Sequence, residues 1–130
     1  MESSGLRNAA ALLGRLLLAA IFIQAGWEKI GGYEGTVAYM AKSGVPGSLL
    51  PVVIAVELLG GLLIVIGWQT RFVAIGLAIF TLLAAYLFHM HFGDRNQAIH
   101  FMKNLAIAGG FLALAAGGPG AWSVDGRHRT

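Results

Sequence analysis

Three ionisable residues stand inside apolar runs: Arg15 in LLGRLLLAAIF, Glu57 in VVIAVELLGGLL and Lys103 in HFMKNLAIAGG. A charge in a hydrocarbon interior is costly, so such residues pair with one another, line a polar cavity or handle protons and ligands. Counted along a helix, Arg15 lies about 12 Å beyond Arg7, and Glu57 about 12 Å beyond Leu49 on the next, oppositely directed segment. In a core about 30 Å thick these levels differ by about 6 Å, within reach of an arginine side chain, and the expectation is a mid-membrane ion pair between Arg15 and Glu57. Such a pair would either lock two helices together or form part of a proton path or ligand pocket.

A second group gathers toward the other membrane face. His89 and His91 close the third apolar stretch, Gln97, His100, Lys103 and Asn104 open the fourth, and Glu28 and Lys29 close the first. Positions 97, 100 and 104 share one helical face, with Lys103 three residues after His100. Lys29, His89, His100, Lys103 and Asn104 are therefore the candidate ligand residues. Donors beside an apolar bundle suit a lipid-soluble, carbonyl-bearing molecule such as a quinone: His or Lys donates to an oxygen, and a carboxylate or His passes protons. The competing reading is that interfacial His and Lys only extend their heads to water. No metal is expected, because His89 and His91, two apart on a helix, point about 200° apart and cannot face one site. No phosphate loop, nucleophile elbow or metalloprotease motif occurs, and no residue is assigned a catalytic role.

The elements that must carry these residues follow from hydropathy. With 57% hydrophobic residues, 12% charged residues and a mean hydropathy of +0.73, the chain lies outside the range of soluble domains. Four spans are expected over about 6–30, 49–68, 72–92 and 97–117, giving an all-α fold: an integral-membrane, antiparallel four-helix bundle forming a single domain over 1–130. Arg15 within the first stretch and the lack of a clear cleavage site argue for a retained span rather than a removed leader. Between the first two spans, Thr36 to Lys42 reads as a short interfacial helix, with Tyr33, Tyr39 and Met40 touching lipid or bundle. Thr70 reads as the N-cap of the third span. Gly60, Gly61, Gly109 and Gly110 read as helix-packing sites, and Trp122 as an interfacial anchor.

The net charge of +3 comes from scattered Lys and Arg without a basic cluster, which speaks against nucleic acid. With four spans, Arg7, Arg71, Arg127 and Arg129 fall on one side against Lys42 and Arg95 on the other, once Arg15, Lys29 and Lys103 are set aside as buried or at the membrane edge. The positive-inside rule then puts both termini in the cytoplasm. With no cysteine, this polypeptide cannot itself carry a persulfide, a dithiol relay or a thiolate metal site.

The segments GRLLLAAIFIQAGWEKI, ELLGGLLIVIGWQTRFVA and KNLAIAGGFLALAAGGPGAWSVD, in this order, resemble the DoxX family of small four-helix bacterial membrane proteins over nearly the whole chain. Gly14, Arg15, Gly26, Lys29, Glu57, Gly60, Gly61, Arg71, His89, Lys103, Asn104 and Gly110 match its pattern best. The resemblance implies a bacterial inner-membrane location and an association with redox or sulfur metabolism. Some members are subunits of a thiosulfate:quinone oxidoreductase, and others join a membrane complex that handles oxidative and thiol stress. Two readings stand together. One is a redox-associated membrane subunit that binds a quinone or small solute within the bundle and works with a redox partner protein. The other is a non-enzymatic scaffold or small-solute carrier whose polar interior serves helix association. The small residues also permit a homodimer in the lipid bilayer.

Overall fold

A computed structural model describes residues 2–88, 93 and 95–127, with side chains from residue 4. The chain forms helices α1 (Glu2–Gly31), α2 (Tyr33–Lys42), α3 (Leu50–Ile66), α4 (Thr70–Phe88), α5 (Arg95–Gly117) and α6 (Val124–Arg127), with a single 3₁₀ turn at Gly47–Leu49 leading into α3. No strand occurs among the described residues. Four of these helices, α3 taken together with its 3₁₀ turn, are long and apolar enough to cross a membrane: Ser4–Gly31, Gly47–Ile66, Thr70–Phe88 and Arg95–Gly117. Residues 89–92, assigned by sequence to the end of the third span, lie outside the described residues.

Local chemistry sets the breaks. Gly32 separates α1 from α2 with a non-helical backbone (φ −111°, ψ 41°). Pro51 sits in the first turn of α3, where its missing N–H costs no helical hydrogen bond. Gly67 ends α3 in the left-handed region (φ 74°), and the N–H groups of Gly67 and Trp68 both donate to the Leu63 carbonyl. A side chain at 67 would also collide with Ser123 and with Arg15 Nη1. The short helix expected at Thr36 to Lys42 is present as α2, begun three residues earlier at Tyr33.

Small residues set the packing. α1 lies along α3, where Gly61 admits Ile23 and Gly26 admits Leu58; a Cβ at either glycine would come within 2.7 or 2.8 Å of those side chains. α5 lies along α4 through Ala74, Ala78 and Ala108, all buried. The two pairs touch more lightly, through Gly60 against Leu77 and Gly110 against Leu18. Phe22 at the centre meets Phe111 edge-on at 5.4 Å and Phe80 at 6.2 Å between ring centroids. Large apolar side chains such as Leu17, Leu59, Phe72 and Ile79 point outward, as lipid requires and water would not permit.

The two polar layers and the cavity between the helix pairs

Arg15 and Glu57, expected to pair with each other, are not partners. Antiparallel packing of α1 on α3 brings Gly26 level with Glu57, Ala19 level with Gly61, and Arg15 level with Gly67. Arg15 is thus displaced from Glu57 by about ten residues of α3, or about 15 Å. The expectation fails because the depth count began at Arg7 and Leu49, whereas α1 begins at Glu2 and the register is set by the glycine contacts.

At the end of the bundle that holds both termini, Arg15 is 1% exposed and donates to three backbone carbonyls: Nη1 to Pro119 at 3.3 Å, Nη2 to Trp122 at 2.9 Å and Nη2 to Val65 at 3.4 Å. The segment 118–127 folds back to supply two of them. Asp125 then caps α4 from outside, accepting from the N–H of Gln69 (2.9 Å) and Thr70 (2.8 Å), while its own N–H donates to Gly67 O (2.9 Å). This corrects the reading of Thr70 as an N-cap: Thr70 is the first helical residue, and the cap arrives from 55 residues away. Gln69 is held at φ 52°, the one non-glycine residue with positive φ among those described. Burial would raise the Asp125 carboxyl, but the hydrogen bonds from Thr70 and Gln69 and the charge of Arg15 outweigh it and hold it below the usual aspartate value. Ser123 closes the turn, its hydroxyl donating to Gly120 O at 2.7 Å and accepting from Gly126 N–H at 2.9 Å.

At the opposite end, roofed by α2, Glu57 is 5% exposed and pairs with Lys29: Nζ lies 3.1 Å from Oε1 and donates to Oε2 at 3.2 Å. Oε1 accepts no hydrogen bond although it is shut off from the surface. The pair borders a cavity of about 730 Å³ between the two helix pairs. Four of the five expected ligand residues, Lys29, His100, Lys103 and Asn104, line this cavity, and Glu57 joins them. The fifth, His89, and the neighbouring His91 lie outside the described residues. Asn104 Nδ2 donates to Thr81 O at 3.3 Å, bracing α5 on α4. Lys103 is exposed at the cavity rim and has no ion-pair partner among the described residues. Phe22, Phe80 and Ile107 supply apolar walls, and Thr36, Tyr39 and Met40 of α2 cover the end. The Tyr39 ring stacks on Phe88 at 5.4 Å, and its hydroxyl donates to Phe88 O at 3.4 Å.

Sequence reasoning missed two parts of this arrangement. Glu57 belongs to the cavity rather than to Arg15, and Gly26, a small residue one turn before Lys29, was the signal that could have shown it. The role of 118–127 left no such signal beyond the pairing of Asp125 with a chain break at Gly67, because most of its contacts go to backbone carbonyls and N–H groups.

A DoxX family model matches residues 10–90. The Escherichia coli (strain K12) inner membrane protein YqjF is 52% identical over 120 residues, covering 92% of each chain. Inner membrane protein YphA of the same organism is 41% identical over 128 residues, covering 93% of this chain and 91% of its own. A Bacillus subtilis (strain 168) protein named "Putative oxidoreductase CatD" is 37% identical over 76 residues, 58% of this chain and 56% of its own. No solved structure matches the chain significantly. With the family model covering more than half of the sequence and two inner-membrane relatives aligned along nearly all of it, the chain belongs to the DoxX family of inner-membrane proteins.

Proposed function

We propose that the protein is a redox-associated inner-membrane subunit that holds a quinone in the cavity under α2. The observation that carries this reading is the convergence of Lys29, Glu57, His100, Lys103 and Asn104 on one largely apolar chamber. Its volume lies within the range of about 300–1,000 Å³ usual for small-molecule sites. A quinone carbonyl would accept from Lys103, His100 or Asn104, and the hydroxyl of the reduced form would donate to the Glu57 carboxylate where it lines the cavity. The name of the Bacillus relative lends support from a second direction. Because the chain has no cysteine, any sulfur or thiol chemistry belongs to a redox partner protein, and a homodimer is compatible with the small residues on the outer face of α5. Both termini are assigned to the cytoplasm on the distribution of basic residues.

The test is extraction and titration. Protein purified in mild detergent should yield a quinone on lipid extraction, or bind one on addition, and Lys103→Met and Glu57→Gln should each weaken that binding about tenfold or more at unchanged yield, the loss expected for one charge-assisted hydrogen bond. Protein that carries no quinone and takes up none would sink the reading and return the polar layer to helix association.

A further inference from the structure

Besides the α2 end, where Gly32, Gly35 and Tyr39 are exposed, the exposed residues that line the cavity gather at two seams of different chemistry. Between α1 and α5 its rim holds Glu28, His100 and Lys103, all exposed, with exposed Ile21 also lining the cavity from α1, and the seam is shut below them where Phe22 meets Phe111 and Leu18 meets Gly110. Between α3 and α4 the rim is Leu49, Val53, Leu83 and Leu87, and this seam is shut below by Leu77 against Gly60. Leu83 is 55% exposed, Leu49 46% and Leu87 43%, so the same side chains line the cavity and face the bilayer. One mouth carries charged side chains, and the other is hydrocarbon among the described residues.

A polar head crossing the leucine mouth would lose hydrogen bonds and gain none, whereas an alkyl or isoprenoid chain passes between two hydrocarbon surroundings without penalty. We propose that the ligand is a two-part molecule dissolved in the bilayer: a ring head held among Lys29, Glu57, Lys103 and Asn104, and an apolar tail that leaves between α3 and α4 past Leu49, Val53, Leu83 and Leu87. This rests on the quinone reading and narrows it to tailed quinones, with the leucine mouth as the feature that selects for the tail. The chamber encloses the head alone, so its volume sets no limit on tail length.

The experiment uses the full chain in lipid nanodiscs, with uptake by empty nanodiscs subtracted, and two probes: a tailless dimethoxy-methyl-benzoquinone and its decyl derivative. With affinity referred to the free aqueous concentration of each probe, the decyl probe should bind about tenfold or more tightly, because its methylene groups leave water for the hydrocarbon at the mouth. Leu83→Trp, which plugs the mouth, should bring the decyl affinity down to that of the tailless probe on the same variant. Leu87→Trp is the second variant should Leu83→Trp be poorly produced. Leu59→Trp, on the lipid-facing side of α3 and away from the cavity, should keep the decyl advantage. Equal affinity of the two probes for the unmodified chain, or a decyl advantage that survives both plugging variants, would overturn the assignment while leaving a quinone site standing. Failure of both probes to bind would overturn the quinone reading and this inference together.

Discussion

The two ends of the bundle treat buried charge in opposite ways. At the end holding the termini, Arg15 spends its two terminal guanidinium nitrogens on carbonyls of Val65, Pro119 and Trp122, and Asp125 spends both carboxylate oxygens on the first N–H groups of α4. At the α2 end, Lys29 and Glu57 satisfy each other only in part, and a chamber of about 730 Å³ stands beside them. The lesson is that a charged residue in an apolar run identifies a place of consequence without saying which kind. The deciding feature is what stands beside the charge after folding: backbone carbonyls around Arg15 and a chamber beside Glu57, although each keeps one buried atom without a hydrogen bond, Arg15 Nε and Glu57 Oε1.

The sharpest way to break the comparison is at Arg15. Arg15→Met should destabilise the protein by about 3 kcal/mol, since it removes several charged hydrogen bonds at once, and should make residues 118–127 sensitive to protease. Both effects can be read by detergent unfolding and limited proteolysis, and little change in either would mean that the carbonyl cradle holds nothing together. Glu57→Gln should show the reverse profile, costing about 1 kcal/mol in the same assay while lowering quinone affinity about tenfold or more. A stability loss matching that of Arg15→Met would make the two ends alike.

Asp125→Ala should cost about 1 kcal/mol, the worth of a helix cap. Its pH dependence has a definite sign. Because the folded carboxyl is held below the ordinary value of 3.8, the cap contributes its full stability at neutral pH and loses it as the pH falls through the lowered value. The alanine variant should therefore lose part of the acid sensitivity of the parent chain. Smallest of all, Tyr39→Phe should change stability by about 0.5 kcal/mol or less, since its hydrogen bond to Phe88 O is long and exposed.

Hydropathy made the four spans legible in the sequence, because lipid leaves a run of apolar residues little choice but helix, and the glycines on either side marked off α2. The clustering of Lys29, His100, Lys103 and Asn104 was legible too, since helical spacing and alternating direction bring those positions to one end. The partner of Arg15 was not. Hydropathy reports how far each span extends but not how two spans slide past each other, and a slide of a few residues exchanges one partner for another. That slide is set by Gly26 and Gly61, whose missing side chains let α1 approach α3 at one register. The cap on α4 was illegible for a different reason: Thr70 suits a cap by type, and only the return of 118–127 shows that Asp125 holds the position.

That return segment has a bearing on biosynthesis. Arg15 is among the early residues to be threaded into the bilayer, yet two of its three acceptors follow 104 and 107 residues later. Throughout the intervening translation its guanidinium must be accommodated by water, headgroups or the insertion machinery, and α4 must wait 55 residues for Asp125. The clasp therefore acts as a late closing step in assembly: nascent chains halted before Pro119 would carry an unsatisfied arginine within their first span, the kind of defect that membrane quality-control proteases can grip.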